Sequence, residues 1–451
     1  MTDSLPQLSQ FRVEPQDNGL IHLVFDCPDR SMNVFSNKAI HELGAFAEWL
    51  HRSQVRGVVV RSGKASGFCA GADLTELAVA YEMIVAAPPA DRFEIAFDHF
   101  FPLSHAIRRL ETAGKPIAAV IAGVALGGGC ELALGCHYRV ITGSPRAMLG
   151  LPECGVGLLP GAGGTQRMPR LVGVELGLEV LLHGRNLAGQ EALDAGLVQA
   201  VVEDGAEVAA AEAWLLSDAA LAVQPWDRPD GIPPVHADYA QALAAHRTRE
   251  LARMLGHEPA PLAILECVEL GLMQPLDGAI RSEMSVFAAL IQCAEPRNMI
   301  RTMFLGKQAA DKARRGGGSA GNVTEAVAAA EALIRSALAE TPALRRAGLL
   351  GGEAPVPPVQ DRTGPDFWLL QVPELFAAAA ALADRLAPIK TRLAGEELLE
   401  ADYLLAIHRI IPPYLGGLTG FLQVVSGGRA GSRGRSTARV IPEGADMDRV
   451  T

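Results

Sequence analysis

The chain has 451 residues, 49 % hydrophobic and 20 % charged, which suffices for two or three domains with sizeable cores and excludes global disorder. Its formal net charge of −11 argues against nucleic acid as a partner, while a phosphate-bearing ligand needs only local N–H groups and a few basic side chains. At the N-terminus, Met1 to Pro6 lacks the charged-then-apolar form of a secretion leader. Ile21 to Phe25 reads as a strand, Lys38 to Arg52 as a helix, and the β-branched run Gly57 to Arg61 as a second strand. Pro116 to Ala122 has the composition of a buried strand, and Tyr138 to Thr142 follows as another. Strands separated by helices predict an α/β domain with largely parallel pairing, placed at residues 1–205.

Residues 206–315 change to a helical pattern, with Leu262, Leu265, Val268 and Leu272 on one stripe. Beyond Gly316 the chain becomes rich in alanine and glycine. Helices are expected at 322–338, 375–386 and 396–410, with Pro355 to Pro358 as a linker. This gives a helical domain over 316–428 and a disordered tail over 429–451, where Arg429, Arg433, Arg435 and Arg439 lie among glycine and serine. No run of eighteen apolar residues is seen, so no membrane span is expected. The seven cysteines are scattered without a C-x-x-C pair. They signal no metal site, and the odd count suits a reducing, cytoplasmic setting.

Two glutamates stand out. Glu131 closes the run Gly127-Gly128-Gly129-Cys130-Glu131, and Glu153 lies in Leu151-Pro152-Glu153, just ahead of Pro160-Gly161-Ala162-Gly163-Gly164. Carboxyl groups held close together do not both ionise freely, so one side-chain type supplies an acid and a base. The glycine run fits a ligand-holding strand-to-helix turn and a bare turn equally well. Upstream, Gly67-Phe68-Cys69-Ala70-Gly71-Ala72-Asp73-Leu74 also leaves N–H groups open. Two donors from separate loops aimed at one oxygen make an oxyanion hole. Asp73 reads as a helix cap rather than a third catalytic carboxylate. His137 reads as structural, and Lys64 and Arg30 as solvated surface.

Taken together, Phe68 to Asp73, Gly127 to Glu131, and Leu151 to Glu153 with Pro160 to Arg167 resemble the crotonase (enoyl-CoA hydratase/isomerase) superfamily over residues 12–205. Gly184 to Val202 resembles the end of that domain. The resemblance implies a ββα spiral core followed by a mostly helical C-terminal region. It implies oxyanion donors at Ala72 and Gly128, and an adenine contact at Ala70, beside Gly71, in the CoA-binding turn. The substrate is then an acyl-CoA thioester, with no metal or redox cofactor. Both glutamates are present, as in hydratases of the family, with Glu131 as base and Glu153 as acid. Hydrolases, isomerases and lyases share the fold, and a non-catalytic scaffold is the remaining alternative.

Residues 259–308 resemble the helical linker of multifunctional fatty-acid oxidation α chains, in which an NAD-binding dehydrogenase domain follows. No strand followed by G-x-G-x-x-G is found downstream: Gly316-Gly317-Gly318 comes after Lys312, Arg314 and Arg315. Ala401 to Gly417 faintly resembles part of the dehydrogenase's helical C-terminal domain. The expectation is a remnant of that domain without an NAD site. A homo-oligomer and a partner enzyme of the same pathway are further expectations of the resemblance.

Overall fold

The computed structural model describes residues 4–229, 237–254 and 259–293, together with 296 and 300. The expected dehydrogenase remnant, the helices expected beyond 316 and the expected disordered basic tail lie outside the described residues. Residues up to His246 and from Ala260 to Gln292 form one compact unit.

The chain opens with a hairpin, β1 (Phe11–Pro15) and β2 (Leu20–Phe25), followed by α1 (Asn37–Arg52) and β3 (Gly57–Ser62). Ser36 caps α1 by accepting from Ala39 N at 3.2 Å, and His51 and Arg52 complement the dipole at its other end. A short β4 (Gly67–Cys69) leads into α2 (Leu74–Ala86) and the long α3 (Arg92–Glu111). Then come β5 (Ile117–Ile121), β6 (Val124–Leu126), α4 (Gly128–Gly135), β7 (Tyr138–Thr142) and β8 (Met148–Gly150). A 3-10 turn at Glu153–Val156 precedes α5 (Gly164–Val172), α6 (Val174–His183), α7 (Gly189–Asp194), β9 (Ala200–Val202) and α8 (Glu207–Leu215). The last described helices are α9 (Ala237–Met254), α10 (Pro259–Gly271) and α11 (Leu276–Leu290).

Six strands form one sheet in the order β1-β2-β3-β5-β7-β9. Only the β1–β2 pair is antiparallel; the others run parallel. Leu23, Val24, Val58 to Val60, Ile117 to Ala119 and Ile121 are fully buried, the continuous apolar pattern of strands covered on both faces. On one face α8 packs Ala211 and Leu215 against Leu20, Val59, Val120 and Val140, and Tyr138 stacks on Trp214 at 4.5 Å. The predicted α/β class and parallel pairing are therefore present. The strand predicted at Pro116 to Ala122 is β5, whereas β6, not predicted from the sequence, belongs to a second sheet, ordered β4-β6-β8. Three-residue strands are too short to leave a periodic signal in sequence.

A buried ion network joins α3, α5 and α11. Arg167 donates to Glu111 through Nε at 3.1 Å and Nη2 at 2.8 Å, and neither side chain has exposed area. Arg108 donates to the other side of this cluster, to Glu111 at 2.9 Å, Asp227 at 2.6 and 2.7 Å and Asp277 at 2.8 Å. Removing Arg167 would leave the buried Glu111 paired with Arg108 but its Oε1 without the bond from Arg167, and breaking a buried pair is strongly destabilising. Arg167→Met is therefore expected to cost about 3–5 kcal/mol of stability, read as a lower urea midpoint at unchanged slope.

Candidate active site

The small parallel sheet organises the site. The carboxyl end of β4 runs into Ala70-Gly71-Ala72, that of β6 into Gly127-Gly128, and that of β8 into Leu151-Pro152-Glu153. Crevices at such strand ends are the usual ligand positions of parallel sheets. Gly127 N donates to Gly150 O at 3.0 Å, which locks two of the three exits together. The third lies against them: a Cβ placed on Gly71 (φ +100) would stand 3.6 Å from Gly128 N.

Asn33 fixes the β4 exit from beneath. It is fully buried; its side-chain amide donates to Phe68 O at 3.0 Å and Phe25 O at 2.8 Å, and its main-chain carbonyl accepts from Ala70 N at 2.9 Å. Phe35 N donates to Gly71 O at 2.8 Å, and Asp73 N donates to Phe35 O at 3.0 Å. This ladder skips Ala72 N, which points away from it. Gly128 is the first residue of α4, so its N–H has no acceptor within the helix. Ala70 and Ala72 are exposed. Asp73 caps α2, accepting from Thr75 N at 3.0 Å and Glu76 N at 3.4 Å, and receives Arg30 at 2.6 Å.

Glu131 lies one turn into α4 and is 2 % exposed. Its Oε1 accepts from Ala162 N at 2.6 Å and Gly164 N at 2.8 Å. Burial raises its pKa to about 7, even though these two N–H groups and Arg167 pull the other way. Glu153 opens the 3-10 turn. The residue is partly exposed, but its Oε2 is sealed from solvent and has no hydrogen-bond partner among the described residues. Its Oε1 occupies the space beside Gly127 that a Cβ would fill. Burial, and then the Glu131 charge, push the Glu153 pKa well above the usual carboxylate range. The two carboxyls thus sit in unequal settings: one accepts two backbone N–H groups, and the other is orphaned and favours its proton.

A third carboxylate joins them. Glu283 of α11 is fully buried; it accepts from Gly163 N at 2.7 Å and Thr165 N at 3.0 Å, and also pairs with the Thr165 hydroxyl. The N–H groups of residues 162–165 therefore alternate between Glu131 and Glu283. Glu283 was missed by the sequence reading, although a signal existed. It is an acid within the apolar face of Leu276, Ala279, Ile280, Met284 and Phe287, where a charge needs a partner.

Residues 16–224 match the enoyl-CoA hydratase/isomerase family. Over 306 residues the chain is 32 % identical to the fatty acid oxidation complex subunit alpha of Shewanella frigidimarina, a match covering 65 % of this chain and 40 % of the relative. The subunit of the same name from Idiomarina loihiensis is 40 % identical over 199 residues, covering 44 % and 27 %. The chain spans about two fifths of the length of the first of these relatives. An enoyl-CoA hydratase structure from Mycobacterium avium subsp. paratuberculosis K-10 is 20 % identical, with a TM-score of 0.46, covering 66 % of this chain and 99 % of that one. The longer match extends past residues 16–224, in keeping with the linker-like segment at 259–308.

The remaining candidates stand apart from this carboxylate cluster. His137 Nδ1 accepts from Ile117 N at 3.1 Å, and burial lowers its pKa to about 4. Lys64 pairs with Asp26 at 2.7 Å. Burial drives the Cys69 thiol up to about 12 and the Cys130 thiol well above its usual value, so neither is a ready nucleophile. No described helix is long and apolar enough to cross a membrane.

Proposed function

We propose that the protein adds water across the double bond of a 2-enoyl-CoA thioester. The observation that carries this reading is the unequal pair: Glu131, poised to ionise near neutrality, beside Glu153, whose Oε2 is buried and unpartnered. The thioester oxygen accepts from Ala72 N and Gly128 N, which draws electrons from the conjugated double bond. Ala70 and Gly71 hold the CoA end. Glu131 takes a proton from water as its oxygen bonds to the β-carbon. The resulting enolate is held by the two N–H donors, and Glu153 protonates the α-carbon. A proton then passes from Glu131 to Glu153 and restores both groups, so the net reaction consumes one water. Each positioned acid or base contributes ~10²–10⁴-fold. Because the pair exchanges protons, its apparent pKa values belong to the two groups jointly. Hydrolysis, isomerisation or carbon–carbon cleavage of a CoA ester would use the same N–H pair. The presence of two interacting carboxyls, Glu131 and Glu153, favours hydration.

Loss of the conjugated absorbance of a short-chain 2-enoyl-CoA, with the 3-hydroxy product identified, tests the reaction. Free CoA or a shifted double bond as the sole product would refute it. The pH dependence follows from the base. Glu131 must be ionised, so kcat is expected to fall about tenfold per unit below pH ~7. A flat profile between pH 5 and 8 would exclude Glu131 as the base.

A further inference from the structure

The segment Gly161 to Gly164 leads into the N-terminus of α5, where several N–H groups lack partners within the helix. Two carboxylates from distant parts of the chain divide these groups between them. Glu131 takes Ala162 N and Gly164 N, and Glu283 takes Gly163 N and Thr165 N. A shift of the loop toward one carboxylate lengthens its bonds to the other. The Thr165 hydroxyl meets Glu283 and also accepts from Gln166 Nε2 at 2.9 Å, and Gln166 Nε2 donates to Cys267 O of α10 at 2.8 Å. The loop is held a second time by Arg167, which donates to Ala162 O at 3.1 Å and reaches α11 through Glu111, Arg108 and Asp277. α11 lies beyond the residues that match the family.

We infer that Glu283 is a positioning residue for Glu131. It holds the 162–165 loop from the side opposite the base and so fixes where the free Glu131 oxygen meets water. This inference rests on the proposed hydration, in which Glu131 touches that water. The elements packed around Glu283 set its charge. Glu131 on α4 and the adjacent Glu153 are acidic, Arg167 and Arg170 on α5 are basic, and Cys267 on α10 is a buried thiol. Burial, and then the Glu131 charge, raise the Glu283 pKa to about 8. Near neutral pH Glu283 therefore favours its proton more than Glu131 does. Above pH ~8 a second negative charge develops there and opposes the enolate.

The test compares wild type, Glu283→Gln and Thr165→Val for kcat, KM and the pH profile of kcat, with melting followed by circular dichroism. Glu283→Gln turns one amide hydrogen toward a backbone N–H and loosens the loop. A misplacement near 1 Å costs about 10²-fold, so kcat is expected to fall ~10–100-fold per folded molecule, with KM within about threefold. The decline of wild-type kcat above pH ~8 should be delayed in this variant. Thr165→Val removes only the hydroxyl contact and keeps the N–H. It should lower kcat less, again with KM held, and it decides the question if Glu283→Gln does not fold. A lowered melting temperature with wild-type kcat and an unchanged alkaline limb would assign Glu283 a purely structural role and overturn the proposal. Wild-type hydration together with loss in Glu131→Gln would leave the proposed function standing in that case. No hydration by wild type would remove both.

Discussion

Glu131→Gln is expected to abolish nearly all hydration, by ~10²–10⁴-fold in kcat, while leaving the fold intact. Only Oε1 of Glu131 accepts hydrogen bonds from the loop, and it takes both Ala162 N and Gly164 N. A glutamine carbonyl placed there keeps both bonds and turns its NH₂ toward the water, which it does not deprotonate. Stability supplies an independent check. The folded pKa of about 7 lies above the ordinary value of 4.5, so the native state holds this proton more tightly than the unfolded chain. That contribution is complete below pH ~4.5 and is lost as pH rises through ~7. The glutamine variant has no such proton to lose. Relative to wild type, it should therefore gain melting temperature between pH 5 and 8. A variant that unfolds at every pH would mean that the carboxylate itself, and not an oxygen acceptor, holds the loop.

Gly127→Ala is expected to damage fold and chemistry together. Gly127 sits at φ +52 and ψ −129, a conformation closed to side chains with a Cβ. The added methyl would also stand 2.6 Å from Glu153 Oε1. Strain of this kind costs about 1–3 kcal/mol. Relief of the clash moves either the acid or the turn that carries Gly128 N, and loss of one oxyanion donor alone is worth ~10²–10³ in turnover. Gly129→Ala provides a contrast. Its Cβ would meet Cys69 Cβ and O at 2.6 Å, so it separates α4 from β4 and leaves Glu153 untouched. If Gly127→Ala retains both wild-type stability and rate, the close packing of acid and turn is not needed for turnover.

The parts of the fold with long, regular patterns were legible in the sequence. The apolar runs of β2, β3, β5 and β7 and the helical period of α1 mark themselves, because each buries a continuous face. The three-strand sheet did not, since Gly67–Cys69, Val124–Leu126 and Met148–Gly150 are each too short for any period. Yet that sheet is what brings Ala72, Gly128 and Glu153 to neighbouring strand ends. The motifs of the site could be read because glycine and acid residues cluster along the chain. Glu283 could not be assigned in this way: its partners, Gly163 and Thr165, lie 120 and 118 residues away. Separation of that kind is visible only once α11 is folded against α5.

The division of the 162–165 loop between α4 and α11 bears on how portable the domain is. An excised piece ending at residue 224 would retain every family motif and both paired glutamates. It would also strip the acceptors from Gly163 N and Thr165 N, at about 1–3 kcal/mol for each donor left buried, and remove Asp277 from Arg108. Grafting the family segment alone into another protein would therefore transfer the chemical groups without the frame that sets their spacing. The hydrogen-bonded frame of the module includes α11, well past residue 224 where its family match ends.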